Sequence, residues 1–283
     1  MTTPVPASHA LRCGDRTVAT LVVRPRVPGR CVPRPHLHPV TTRAGVAVTE
    51  SGPADHRHHL GVCVAVPDVG HHNFWGGRTF VRGAGPTELD DHGVQHHTRF
   101  TTLRPDTFTE ELSWRAGGAE LLAEQRTVTA RPLTDQAWAL DLAFTLTNTC
   151  GSRLSLGSPA TNGRPGAGYG GFFWRARRSA EAPRVFTADA AGEDAVHGRR
   201  APWLALTGAD WSLVFAAGDE TTCGDPWFVR AAEYPGVGSS LAAATRLPLP
   251  PGARLTRRVV TVVADGPVGR REAADLASRA VAR

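Results

Sequence analysis

The amino-acid sequence predicts an all-β protein, a large antiparallel β-sandwich closed by a short C-terminal helix. Three observations predict it. Segments rich in Val, Thr, Leu and aromatic residues recur between Gly/Pro turns; the longest pair alternates apolar and polar residues; only the last sixteen or so residues carry a helical period. At 283 residues an all-β chain commonly forms one body, and neither an internal repeat nor a linker composition interrupts it, so residues 1–283 are expected to be a single sandwich domain.

Taken in order, "RTVATLVVRP" (Arg16 to Pro25) reads as a strand stopped by proline. "LLAEQRTVTA" and "WALDLAFTLTN" flank the turn-like "RPLTDQ" and form a long antiparallel pair. In the second, Trp138, Leu140, Leu142, Phe144 and Leu146 fall on one face, and Ala139, Asp141, Ala143, Thr145 and Thr147 on the other. Further strands are predicted in "APWLALTG", "DWSLVFAAG", "SSLAAATRLPLPPG" and "ARLTRRVVTVVADG". The terminal "VGRREAADLASRAVAR" places Ala273, Leu276 and Ala280 at helical spacing with no Gly or Pro inside. Two stretches fit no strand: residues 67–96, and "SPATNGRPGAGYGGFFWRARR" from Ser158 to Arg178, whose glycines let a backbone approach a ligand.

Composition removes several functions. All 32 basic residues are arginine, so Schiff-base lysine chemistry and a P-loop lysine are unavailable. The net charge of +6 comes from arginines spread along the chain, densest in "WRARR" (Trp174 to Arg178), which reads as a solvated basic surface and not as a nucleic-acid site. Five cysteines, odd in number and never in a C-x-x-C pair, read as reduced thiols, mostly buried. The first residues lack the pattern of a secretory signal, and no apolar run reaches the roughly 20 residues of a membrane span. A cytoplasmic protein without membrane contact is expected. Open sheet edges would allow a homodimer, with no residue that argues for one.

The chemistry concentrates in "PADHRHHLGVCVAVPDVGHHNFW", Pro53 to Trp75, which holds five of the twelve histidines. If Asp55 to His59 were a strand, His56 and His58 would share a face, as would His36 and His38 in "RPHLHPV". Two such H-x-H pairs are one way to hold zinc, iron or manganese, so a divalent metal on His36, His38, His56 and His58 stays open, with many carboxylates competing to complete it. His71, His72 and His92 lie among loop residues and read as polar loop histidines. The organic alternative, with no cofactor, is a site that binds and protonates a hydroxylated ligand. Sugars show apolar C–H faces and hydroxyl edges, so Trp or Phe is combined with Asp, Asn, Arg and His. Trp75, Trp227 and the aromatic run Phe172 to Trp174 lie near Asn73, Arg175, Asp225 and Arg230 in or beside the irregular stretches.

"RPHLHPVTTRAGVAVTES", "DHRHHLG", "DVGHHNFW", "LLAEQRTVTA" and "DPWFVR" resemble, in this order, the blocks of the PmoA-like proteins, a bacterial family of poorly defined function, over about Pro33 to Asp265. The methane-oxygenase activity in that label belongs to a membrane protein and is not expected here. The resemblance implies a galactose-mutarotase-like supersandwich and a setting in carbohydrate metabolism. Position by position it points to Asp55, His56, His58, His59, Trp75, Glu124, Arg126 and Arg230, and to His97 in "GVQHHTRF". The chain departs from the family where Phe228 replaces a common histidine.

The expected function is therefore a carbohydrate-active enzyme (epimerase, glycosidase or lyase type) using general acid/base catalysis on a sugar, or on a glycosylated or polyhydroxylated natural product. His56 and His59 are the acid/base candidates and Glu124 the carboxylate. Trp75 and Trp227 are the platforms. Arg126, Arg175 and Arg230 grip oxygens, with Asp55, His58, Asn73 and His97 completing the binding set. A metal-dependent hydrolase or lyase and a non-catalytic sugar-binding protein are the alternatives.

Overall fold

The computed structural model describes residues 6–282. Two large antiparallel sheets form the body. In spatial order, one holds Ser8–Cys13, Arg16–Val22, His36–Val40, Val62–Ala65, Gly171–Arg175, Gly236–Ser240 and Trp227–Arg230. The other holds Arg184–Phe186, Trp203–Thr207, Trp211–Ala217, Arg254–Asp265, Ala137–Asn148, Ala119–Pro132, Thr107–Ala116 and Val94–Leu103. Smaller three- and two-stranded sheets close the irregular connections.

Side-chain alternation explains the core. Trp138, Leu140, Leu142, Phe144 and Leu146 all face inward as their spacing predicts, and pack with Val62, Val64, Phe172, Trp174 and Val237 of the facing sheet. The hairpin between Thr107–Ala116 and Ala119–Pro132 turns on Gly117 and Gly118, both at positive φ (57° and 81°), which a two-residue turn of matching twist requires. On the outer face of the second sheet, the helix Arg270–Val281 lays Ala273, Leu276, Ala277 and Ala280 against Ala137, Ala139, Val214, Val260 and Val262. Small residues on both partners allow the helix to sit close, which is why Ala139 on the "polar" face of its strand is buried. No helix among the described residues is long and apolar enough to cross a membrane.

Three expectations change. "SSLAAATRLPLPPG" is not one strand: Gly236–Ser240 and Leu247–Leu249 belong to different sheets. Residues 67–96, expected to hold no strand, contain Asp68–Val69, Thr79–Val81, Gly85–Thr87 and the first residues of Val94–Leu103. Within 158–178, Gly171–Arg175 is an internal strand of the first sheet, buried on both faces, so no alternation betrays it. Gly171 sits at φ 118°, and a Cβ there would meet the Ser239 carbonyl oxygen at 2.7 Å. The thiols are all free; Cys13, Cys31 and Cys63 are buried, while Cys223 is exposed.

Candidate functional site

The outer face of the first sheet carries the side chains that alternation turns away from the core. Phe172 and Trp174 point inward, whereas Cys63, Ala65 and Phe173 form a separate patch with Trp75 and Tyr234. Over this patch the chain folds residues 53–60, the turn after Trp75 and the Arg164–Tyr169 loop into a cavity of about 380 Å³. Trp75 packs on Tyr169 (ring centroids 4.5 Å apart) and Phe173 (4.8 Å), and Tyr169 meets Phe228 at 5.4 Å. These rings make an aromatic wall.

His56, His58 and His59 all line the cavity, but not from a strand. Residues 53–59 make two successive turns, closed by hydrogen bonds from the His56 amide to Pro53 and from the His59 amide to His56. Turns bring the three imidazoles together where a strand would have sent His59 to the opposite side. His56 stacks on His59 at 4.6 Å, and His58 meets His59 edge-on at 4.7 Å. Gly76 and Gly77 turn at positive φ (101° and 73°) beneath His58; a Cβ on Gly76 would lie 2.8 Å from the His58 Cβ.

Each imidazole has a distinct state. His56 donates from Nδ1 to Asp55 Oδ2 at 3.0 Å, which orients the ring and leaves its other nitrogen, Nε2, without a partner among the described residues. Burial works against the Asp55 charge, but the His56 hydrogen bond and the nearby Arg175 outweigh it and hold the carboxyl below its usual range. Burial, reinforced by Arg34, pushes His58 down to about 3. Burial and the two neighbouring histidines hold His59 well below an ordinary histidine. Both are neutral at neutral pH. Arg175 Nη1 donates to His59 Nδ1 at 3.4 Å, and a guanidinium only donates, so neutral His59 carries its proton on Nε2.

Arg175 is fully buried behind the cavity. It binds Glu50 Oε2 through Nε and Nη2 (3.2 and 3.0 Å), approaches Asp55 at 3.7 Å and lies over the Tyr234 ring at 4.6 Å. Arg34, also buried, ties the backbone carbonyls of His58 and Trp75 together at 2.7 and 3.0 Å. The two arginines set the positions of the lining groups from underneath. Arg230 reaches the cavity across the Phe228 ring and donates to the Gly166 carbonyl at 3.1 Å.

The structure brings Asp55, His56, His58, His59, Trp75 and Arg230 together at the cavity, with Arg175 behind it. It places the others elsewhere. Glu124 is buried between the sheets, where Arg126 donates to its two oxygens at 2.7 and 3.0 Å and the Trp114 indole donates at 2.8 Å. Burial pushes its carboxyl upward against the pull of Arg126. Arg126 also reaches Glu110 at 3.4 Å, and His97 Nδ1 contacts the same Glu110 at 2.9 Å. Glu124, Arg126 and His97 thus form an interior ion-pair network, not a ligand surface: they sit on inward-facing strand positions. Asn73 is a turn former, its Oδ1 accepting from the amides of Trp75 and Gly76 at 2.8 Å each. Trp227 faces the core beside Phe215 and donates to the Ala201 carbonyl; its strand neighbours Phe228 and Arg230 take the cavity side. Asp225 is paired with Arg257 at 2.6 Å.

The two H-x-H pairs do not converge on a metal. His36 contacts the Arg34 carbonyl and Ser51, and His38 contacts Thr49. Among the described residues, no group of three or more His, Cys, Asp or Glu is arranged to hold an ion. Sequence reasoning missed Tyr169, Tyr234, Arg78, Arg164 and Glu233, all lining the cavity. A signal for the first two existed: the chain has only two tyrosines, and both are here. Burial pushes the Tyr169 hydroxyl up to about 12 and the Tyr234 hydroxyl above its usual range, so both stay protonated donors.

Fold and cavity together define an all-β sandwich protein with an aromatic-walled polar pocket on the outer face of one sheet. The chain belongs to a family of unknown function, DUF6807, which it matches over residues 8–278. That description assigns no activity, and it does not carry the methane-oxygenase label of the PmoA-like resemblance. No curated protein matches the chain. Among solved structures it is similar to the galactosidase domain of an alpha-galactosidase–sucrose kinase (8% identity, TM-score 0.33, 79% of this chain and 32% of that one). It is also similar to a heparinase III gene product (10%, 0.28, 81% and 34%). The chain spans about a third of the length of each, and likenesses this low carry no argument about activity.

Proposed function

We propose that the cavity binds a sugar or another small polyhydroxylated molecule and acts on it by general acid/base catalysis. One observation carries this reading. His56, His58, Tyr169, Tyr234 and Arg164 all line one cavity, and apart from the His56 Nδ1 bond to Asp55 their side-chain polar atoms make no hydrogen bond to the described residues. Beside them lie the rings of Trp75 and Phe228, which give the cavity an apolar wall. A ligand with several oxygens on an apolar ring skeleton supplies both kinds of contact at once.

The roles follow from the orientation of the lining groups. His56, with Asp55 on Nδ1, is oriented as a base that removes a proton from a hydroxyl or a C–H next to a carbonyl. Tyr169, Tyr234 or the Nε2–H of neutral His59 supplies the complementary proton or hydrogen bond to a developing oxyanion. Glu233 at the rim is the carboxylate that replaces Glu124 in this scheme. The PmoA-like blocks and their carbohydrate setting support the same ligand class.

The test is a panel of monosaccharides, uronic acids and aryl glycosides, screened by calorimetry for binding and by proton NMR for epimerisation, elimination or hydrolysis. Turnover that disappears in His56→Ala while binding persists supports the enzyme. Binding without turnover in the wild type identifies a sugar-binding protein instead. Absence of binding at millimolar concentrations across the panel would overturn the ligand class.

A further inference from the structure

Residues 51–60 separate two cavities. Asp55, His56, His58 and His59 line the one described above, whereas Ser51, Ala54, Arg57 and Leu60 line a second, of about 490 Å³, on the other side of the same loop. His36 forms part of its wall. The Ser51 hydroxyl lies 3.2 Å from His36 Nε2, and His36 Nδ1 lies 3.1 Å from the Arg34 carbonyl oxygen. A carbonyl oxygen only accepts, so Nδ1 carries the imidazole proton and Nε2 faces the hydroxyl as a lone pair. The serine therefore donates to the histidine. This is the arrangement of a nucleophile, a base and a group that orients the base.

We propose that Ser51 and His36 form a second, nucleophilic site that takes acyl groups from carboxylic esters with an apolar acyl part. Ser51 Oγ would attack the ester carbonyl carbon as its proton passes to His36 Nε2. The C–O bond to the alcohol then breaks, and the alkoxide leaves with the proton from His36. Water repeats the sequence in reverse, releasing the acid and restoring Ser51. His36 is 4% exposed and burial holds it at about 4, so at neutral pH it is neutral and its Nε2 lone pair is open to the Ser51 hydroxyl. The surroundings fit the substrate class. Val22, Pro25, Val27 and Leu60 provide apolar walls for the acyl part. At the mouth, Arg26 and Arg57 have no side-chain partner among the described residues, and neither does the Ser51 amide, leaving donors for a tetrahedral oxyanion. The proposal is independent of the sugar site, which shares the loop but none of these side chains.

The experiment uses a biotinylated fluorophosphonate, which phosphonylates activated serines irreversibly, on the full chain at neutral pH. The expected result is one equivalent of label, located by peptide mass spectrometry on Ser51, absent in Ser51→Ala and slowed about a hundredfold in His36→Gln. The Ser51→Ala change is small and at a half-buried position, so it leaves the fold intact. A folded wild type in which Ser51 stays unlabelled overturns the proposal, as does labelling that survives in Ser51→Ala or proceeds at the wild-type rate in folded His36→Gln.

Discussion

Replacing Arg126 with methionine separates the interior ion-pair network from the cavity. Arg126 bonds both oxygens of Glu124, reaches Glu110, and donates to the Pro35 carbonyl at 3.1 Å, with all three ionisable side chains buried. Methionine fills similar volume but takes the guanidinium from both buried carboxylates, leaving Glu124 with the Trp114 indole and Glu110 with His97. Breaking a buried pair by removing one partner costs about 3–5 kcal/mol, and here two acids lose the same partner, so a loss of at least ~4 kcal/mol is expected. For a chain of this size that corresponds to a fall in melting temperature of roughly 8–16 °C. The stranded carboxyls acquire pKa values above those of the unfolded chain. The folded variant then binds more protons than the unfolded one, so its stability falls as pH rises. Its deficit against the wild type should be larger at pH 8 than at pH 5. Urea unfolding at the two pH values measures this through the shift in midpoint at unchanged slope. A loss below ~1 kcal/mol, or one that does not grow with pH, would refute the reasoning. Sugar binding by the folded fraction should match the wild type.

Other changes probe the cavity and its frame. Asp55→Asn should lower turnover about tenfold to a hundredfold with little change in melting temperature, because the His56 tautomer is no longer held; a pH–rate profile checks it. Tyr169→Phe removes one hydroxyl from a retained aromatic wall, so calorimetry should show ligand affinity falling up to about tenfold. His36 and His58, held at about 4 and about 3, stay neutral in the fold while an unfolded histidine titrates near 6.5. Their contribution is fully present above pH 6.5 and is lost as pH falls toward those values. Each should cost about 2 kcal/mol by pH 5, seen as a falling urea midpoint on acidification. Gly61→Ala should destabilise by more than ~2 kcal/mol, because Gly61 sits at φ 43° and a Cβ there would overlap the Leu37 carbonyl oxygen. Thermal denaturation measures this.

The legible parts of the sequence were those governed by short periods. A two-residue period located the inward face of Ala137–Asn148, and a helical period located the buried alanines of Arg270–Val281. Gly171–Arg175 was illegible because burial on both faces removes alternation. The histidine-rich loop stood out by composition, but the strand geometry considered for it does not form. Two turns, not a strand face, gather His56, His58 and His59.

By itself the sequence determined that the chain is an all-β sandwich with a terminal helix, and its composition singled out Asp55 to Trp75 as the candidate stretch. Local spacing and side-chain chemistry suffice for both. Only the tertiary structure decided which polar residues meet. Glu124 and Arg126 alternate inward and are sealed between sheets. Tyr169, Phe228 and Tyr234, more than a hundred positions from His56, complete its cavity. Such meetings depend on strand order and on which face each strand turns outward, and both are set by packing the sheets against one another, not by neighbours along the chain.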